Sequence, residues 1–555
     1  MNAALYFAPD AYLLDGPRLM GRQAAGNGFL RAAVKAHAGQ PIRAVTPYRD
    51  GAEAFAKAVV ALDPKAQPYW IPASRGDQIA AVGTLYRPDL AIAEPARQRL
   101  RIGAAAYSIC GVTHTLSSMG AAEAAVDLVA GPVMPWDALV CTSSVARAAV
   151  QTMVRAQADY LAWRLGVAVA VPAPQLPVIP LGVHCDDFAF GPAERSAARQ
   201  ALGLAADEVT ALFAGRLTFS AKAHPFQMFR GLEAAAAATG RKVALLLAGQ
   251  FPSEPIASAY RAAWPEVCPS VRVLHVDGQE AETFAKAWRA ADLFLSISDN
   301  YQETFGIAPV EAMAAGLPVV VSDWNGYKDT VRDGVDGFRI PTWAPEAGCG
   351  EVFAADHESL TTSYDQYISR TSTTVSADPA VLAERLTALV ADEGLRRRMG
   401  EAGAQRARRV FDWTVVYAQY QELWRDLAEL RRRHGQEPAL RLGEAPRAAP
   451  TALDPFAVFG AYPTRKIGAG VRVETVAGAG PAAYAPLTDQ TMFRFWREPP
   501  ERIERTFAAL AAGPLTLGEL AARLGEATPA LVERVGRLAK MELIRLSDGE
   551  EGASG

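Results

Sequence analysis

Along residues 1–185, short apolar runs alternate with longer stretches of helical periodicity. The runs predict strands at Ala3–Ala8, Ile42–Thr46, Asp89–Ala93, Gly103–Tyr107, Ala138–Thr142 and Pro177–Pro180. Helices such as Gly28–Ala38 and Ser143–Leu165 fall between them. Around Cys185–Leu204 the pattern turns polar and helical, and then a second alternation begins. Its strands are expected at Thr210–Ala214, Lys242–Ala248, Val271–His275, Asp292–Ile297 and Pro318–Val321, ending near Phe411. Strand–helix alternation of this kind builds parallel, doubly wound sheets. The expected fold class is therefore α/β, with Rossmann-like domains at 1–185 and 186–412 facing each other across a cleft. Ligands in such folds sit at the carboxyl ends of the strands.

Beyond Phe411 the character changes. Trp413–His434 reads as one long helix that crosses back to complete the first domain. Residues 435–487 are rich in Ala, Pro and Gly and read as a linker with one hairpin at Val471–Val476. Residues 488–555 are compact and mainly helical. There Thr516 and Thr528 suit helix caps, and Pro529 suits a first helical position. Helix, turn, helix and a last short strand suggest a winged-helix-like module.

Composition narrows the class. A chain of 555 residues is too long for one core. No run of about 18 uninterrupted apolar residues predicts a membrane span. The start, MNAALYFAPDAYLLDG, carries acids where a signal peptide needs a basic start, so it is expected to be a first strand. The five cysteines are scattered, without a Cys-x-x-Cys, which points to reduced thiols in a cytoplasmic protein rather than a zinc site. A net charge of -4 does not favour nucleic acid as a partner.

Candidate chemistry concentrates between Ser298 and Pro341. Glu303 and Glu311, with seven residues between them, bracket the turn Phe305-Gly306-Ile307. Pro309 suits a helix start, Gly316 its end, and an apolar strand follows. A helix start offers free N–H groups and a favourable dipole to an anion. Acids beside it would repel a bare phosphate, but they suit the hydroxyls of a sugar or a ribose. Gly215-Arg216, directly after a strand, and Lys222 add two cations that suit a diphosphate. Taken alone, two solvated surface cations would look the same, and Glu311 alone would be an ordinary first-turn helix acid.

Together these residues resemble the retaining GT-B glycosyltransferases of family 4. The likeness rests on Glu303, Phe305, Gly306, Glu311, Ala314, Gly316, Pro318 and Val319, with Arg216 and Lys222 as the basic pair. Ile179, Pro180, Gly182 and Val183 match the interdomain phrase, Asp329–Gly337 the next turn, and Phe411 and Trp413 the closing motif. The resemblance implies that Arg216 and Lys222 hold the donor diphosphate. Glu303 would take sugar hydroxyls, Glu311 the ribose, and the amides of Phe305, Gly306 and Ile307 the sugar and phosphate. It further implies a glycine-rich turn at Gly26-Asn27-Gly28, an acceptor-side histidine at His114, and main-chain base contacts near Asp277 and Gly278. His114 reads equally well as a satisfied loop histidine. Where the family often has Pro-Ser before its first acid, this chain has Ser298-Asp299-Asn300-Tyr301-Gln302, with Tyr301 expected to shape the sugar pocket, so donor preference does not transfer. The implied reaction retains configuration by front-face attack, with no cofactor and no metal, since no Asp-x-Asp occupies a site-like position.

The expected partners are a nucleotide-sugar donor and a hydroxyl acceptor: a surface polysaccharide, a lipid-linked glycan or a protein. From Glu501 to Glu550, seven Lys/Arg face eight Asp/Glu, so the winged-helix-like module is not expected to bind DNA. It loosely resembles the peptide-binding modules of peptide-modifying enzymes, and a dimerisation or docking domain is the plainer alternative. Other readings of the chain are a peptide glycosyltransferase, a sugar-nucleotide epimerase or phosphorylase, and a non-catalytic sugar-nucleotide sensor. Arg147, Arg155, Trp163 and Arg164 leave a peripheral membrane contact open beside a solvated helix face.

Overall fold

The computed structural model of the protein describes residues 1–14, 21–168, 173–219 and 221–548. Ser220 and residues 549–555, the end of the expected C-terminal module, lie outside them. The chain divides into two compact units, Met1–Pro450 and the residues from Thr451 on. Among the described residues no helix is long and apolar enough to cross a membrane.

The first unit holds two six-stranded sheets. One comprises β1 (Ala4–Tyr6), β2 (Pro41–Thr46), β3 (Gln67–Pro72), β4 (Thr84–Tyr86), β5 (Ser108–Val112) and β6 (Ala138–Val140), in the order β3-β2-β1-β4-β5-β6. The other comprises β7 (Val209–Ala214), β8 (Val243–Gly249), β9 (Val271–Asp277), β10 (Leu293–Ser296), β11 (Val319–Ser322) and β12 (Gly337–Ile340), in the order β12-β11-β10-β7-β8-β9. Every pairing in both sheets is parallel. These are the two Rossmann-like sheets of a GT-B chain. In each, strand order reverses beside the first strand, which opens a crevice at the carboxyl edge between β1 and β4 and between β7 and β10.

Burial explains the strand composition. In β8, Val243, Leu245 and Leu247 join one core layer and Ala244, Leu246 and Ala248 the other. A strand covered on both faces needs a continuous apolar run rather than alternation.

Three expected strands of the first sheet need correction, and two of its strands, β3 and β4, were not expected. Asp89–Ala93 is not a strand: Asp89 Oδ1 accepts from Ala91 N at 2.9 Å and ties down Arg87, making a turn after β4. Gly103–Tyr107 is also a turn, with Gly103 at φ 121°, and the strand starts at Ser108. Pro177–Pro180 adds one isolated bridge, Cys141 to Val178, because its prolines cannot donate to a ladder. β3 was hidden by Pro68 and Pro72, which an edge strand tolerates. In the second sheet, β12 (GFRI) is a further strand that no alternation announced.

The helix Trp413–His434 buries Trp413, Val416, Tyr417, Tyr420, Trp424 and Leu427 along one stripe. That stripe joins the core of the first sheet, where Phe29 stacks on Tyr86 at 4.3 Å and Tyr420 meets Tyr86 edge-on at 5.7 Å. Aromatic pairs of this geometry add about 0.5–1.5 kcal/mol each beyond their buried area. In the second unit, Val471–Val476 is no local hairpin. Arg472–Thr475 is the middle strand of a three-stranded antiparallel sheet, flanked by Leu515–Thr516 and Ile544–Ser547. Helices Pro500–Leu510, Leu517–Leu524 and Thr528–Lys540 share a core with it.

The expected turn at Gly26–Gly28 lies inside the helix Gly21–His37. A Cβ on Gly26 would meet Ala11 O at 1.9 Å, and one on Gly28 would meet Trp413 Nε1 at 2.2 Å. Both glycines are buried and let neighbouring elements approach. Gly28→Ala is therefore expected to lower the thermal midpoint, as overpacking by about 1–3 kcal/mol does. Gly21→Ala, with nothing within 4 Å, should leave it unchanged. Equal midpoints would contradict this close packing.

Candidate functional site

The β7–β10 crevice gathers most of the singled-out residues. β7 ends in Ala214, and Gly215 at φ 149° turns the chain so that Arg216 is exposed at the edge. The loop continues to Lys222, whose carbonyl accepts from Ser298 Oγ at 3.1 Å. Ser298 O in turn accepts from Ser322 Oγ at 2.6 Å, so the ends of β10 and β11 are tied to the β7 loop. After β10 the chain runs through Asn300, whose side chain accepts from Gln302 N at 2.6 Å and whose carbonyl accepts from Trp324 Nε1 at 3.0 Å.

There Glu303 Oε2 accepts from Lys222 Nζ at 2.5 Å, with the two side chains only 22% and 17% exposed. Burial alone would push the Glu303 carboxyl up and pull the Lys222 ammonium down. The partner's charge overrides this in both: Glu303 is held below its ordinary value, helped by the Gly306 N–H, and Lys222 above its own. The pair therefore stays charged at least between pH 4.5 and pH 10.5, the two groups' ordinary values.

Gly306 caps the helix Ile307–Ala314 at φ 87°, and a Cβ there would meet the Tyr327 ring at 2.0 Å. Only glycine fits both conditions. Phe305 is buried against Phe411. Ile307 opens the helix, and Glu311 follows one turn later. Burial pushes the Glu311 carboxyl up to about 7, although Lys222 draws it back. Asp277 ends β9 and is exposed, and its Oδ1 accepts from Gln279 N at 2.9 Å, closing its own turn.

Arg216 is held only by neutral partners among the described residues. Its Nη2 donates to Gln302 Oε1 at 3.1 Å and to Ala221 O at 3.3 Å. Its charge also acts on Glu303, helping to hold that carboxyl below its ordinary value, but without a direct hydrogen bond such as Lys222 makes. No group of three His, Cys, Asp or Glu among the described residues is arranged to hold a metal ion.

His114 belongs to the first sheet, in the loop after β5. Its Nε2 donates to Pro88 O at 3.1 Å, the role a carbonyl partner requires. Burial, with Arg22 nearby, pulls it down to about 4, so it is neutral at pH 7 and its Nδ1 carries the lone pair.

Several residues at the site were not foreseen. Ser143 Oγ donates to Thr304 O at 2.6 Å, beside Glu303. Asp329 accepts from Ser144 N at 2.5 Å and from Ser144 Oγ at 2.7 Å, at the start of the helix Ser144–Leu165. The first-sheet helix thus takes a carboxylate from the second-sheet half, and the dipole favours it. In the sequence Asp329 appears only as part of the Asp329–Gly337 turn motif, and the two serines at a helix start are the available signal. A cavity of about 610 Å³ flanks the site, lined by Phe219, His224, Arg230, Asp299 and Val375 but not by Lys222 or Glu303. Asp299 Oδ1 has no hydrogen-bond partner among the described residues, and burial pushes its carboxyl up to about 7.

Residues 208–352 match the family described as Glycosyl transferases group 1. A phosphatidyl-myo-inositol mannosyltransferase of Mycobacterium leprae is 33% identical over 144 residues, 26% of this chain and 29% of the relative. A D-inositol 3-phosphate glycosyltransferase of Mycobacterium sp. (strain KMS) is 37% identical over 177 residues, 31% of this chain and 38% of the relative. The chain thus spans less than two-fifths of the length of these curated relatives. Among solved structures, HepE of Anabaena in complex with UDP and glucose is 16% identical, with a TM-score of 0.47, over 76% of this chain and 98% of its own. A sucrose-phosphate synthase of Thermosynechococcus elongatus is 17% identical, with a TM-score of 0.47, over 77% and 99%.

The raised Glu311 carboxyl makes a prediction. The folded chain keeps that proton to about pH 7, whereas the unfolded chain releases it near 4.5. Between those values the native state binds more protons, so stability falls as pH rises. Glu311→Gln should flatten the fall of the melting temperature between pH 5 and pH 8. A slope unchanged from wild type would contradict the burial of this carboxyl.

Proposed function

We propose that the protein is a retaining glycosyltransferase that moves a sugar from a nucleoside diphosphate sugar to a hydroxyl acceptor. The observation that carries this is the Lys222–Glu303 pair at the β7–β10 reversal, inside the stretch that matches the glycosyltransferase family. In this reading Arg216 and Lys222 meet the diphosphate, joined by the helix start at Ile307. Glu303 takes donor sugar hydroxyls, and Glu311 takes the ribose.

The step breaks the bond between the anomeric carbon and the phosphate oxygen and forms one to the acceptor oxygen on the same face. The acceptor proton passes to the departing phosphate oxygen. The chain's contribution is preorganised charge. Arg216, left with neutral partners, is ready for the leaving group, and charge set in place before reaction is usually the largest catalytic term. This division of labour needs neither a protein nucleophile nor a resident metal. His114 Nδ1, an acceptor at neutral pH, suits an acceptor hydroxyl on the first-sheet side.

The acceptor class stays a polysaccharide, a lipid-linked glycan or a protein, and a cytoplasmic site of action suits all three. A peptide acceptor read by the second unit draws on that unit's helices around a three-stranded sheet and its balanced charge.

Release of nucleotide from UDP-, GDP- and ADP-sugars tests the reading. One donor should be turned over by the wild type. Glu303→Gln and Lys222→Ala should each lose on the order of 10²–10³ in rate, the scale of removing one preorganised charge partner, with circular dichroism unchanged. Near wild-type turnover in either variant would refute the assignment.

A further inference from the structure

Between β12 and the helix Pro379–Ala391 the chain makes an excursion. Strands Thr342–Trp343 and Ser376–Ala377 pair antiparallel at its base, and helices Glu351–Glu358 and Tyr364–Ser372 form its body. The body is internally fixed. His357 stacks on Tyr367 at 4.8 Å, and Arg370 pairs with Asp356 at 2.6 Å. Ser363 and Gln366 form a capping box that sets the start of the second helix. The first residue after that cap is Tyr364.

The Tyr364 hydroxyl reaches both halves of the first unit. It lies 2.9 Å from Ser117 Oγ, in the loop after β5, and accepts from Gln302 Nε2 at 3.1 Å. Ser117 continues to Thr115 Oγ1 at 3.1 Å. On the other side, Gln302 Oε1 accepts from Arg216 Nη2. The chemistry fixes the direction of this chain. Arg216 can only donate, so the Gln302 oxygen must face it and the Gln302 NH₂ must face the tyrosine. The hydroxyl accepts from that NH₂ and has its own proton for Ser117. Without the Tyr364 hydroxyl the Gln302 amide is anchored from one side only, by Arg216 itself, and no longer holds the guanidinium in a fixed place.

We infer that Tyr364 is a positioning residue for the donor diphosphate: it fixes the Gln302 amide, which aims Arg216 without neutralising it. The inference rests on the proposed glycosyl transfer and names a residue outside its motifs. It makes the excursion a part of the site rather than a surface ornament.

Calorimetric titration with UDP, GDP and ADP, and with the nucleoside of whichever binds, tests it. Tyr364→Phe keeps the ring and loses the hydroxyl. Its affinity for the nucleoside diphosphate should fall about fivefold, the worth of one neutral hydrogen bond, with the nucleoside's affinity unchanged. In a Gln302→Ala background the same substitution should have no further effect, since the link it acts through is gone. Undiminished diphosphate affinity, an equal loss for the nucleoside, or a full further loss in the Gln302→Ala background would each overturn the role of Tyr364 alone. If the wild type binds none of the three diphosphates, the glycosyltransferase reading falls, and the role of Tyr364 with it.

Discussion

The ion pair between Lys222 and Glu303 is the constraint on which the candidate site depends. Two charges at 2.5 Å, about four-fifths buried, persist because each compensates the other's desolvation. Removing one partner would leave an uncompensated buried charge. The pair joins the loop after β7 to the loop after β10, the two strands flanking the reversal of strand order. Nearby constraints serve the same loops. Ser298 and Ser322 tie them by hydrogen bonds, and Gly306 gives way to the buried Tyr327 ring so that the helix start can face the crevice.

The charges are divided unequally, and the division suits the proposed chemistry. Lys222 has a carboxylate partner, while Arg216 has neutral ones. Glu311 and Asp299 are acids that burial pushes toward neutrality. The two sheets share the site as well: Ser143 reaches Thr304, Ser144 reaches Asp329, and Tyr364 reaches Ser117.

What was legible in the sequence follows physical lines. Fully buried strands such as β7 and β8 announce themselves as apolar runs, and the helix Trp413–His434 shows its stripe at helical spacing. Edge strands and very short inner ones do not: β3 carries two prolines, β12 is short and mixed, and the buried β4 has only three residues. Gly26 and Gly28 misled because close packing and tight turns call for the same residue. Glu303, Lys222 and Arg216 are legible as candidates from their chemistry at strand ends. Gln302, Asp329 and Tyr364 are not, since their importance comes from contacts across 62 to 247 residues of chain that no local pattern encodes.

The most direct measurement is a crystal structure of the protein with an intact nucleoside diphosphate sugar. The account predicts the diphosphate between β7 and β10, within hydrogen-bond distance of Arg216 and Lys222 Nζ, with a sugar hydroxyl on the Glu303 carboxylate. A nucleotide-sugar held elsewhere, such as in the cavity beside Phe219 and Asp299, with the Lys222–Glu303 contact untouched, would contradict it.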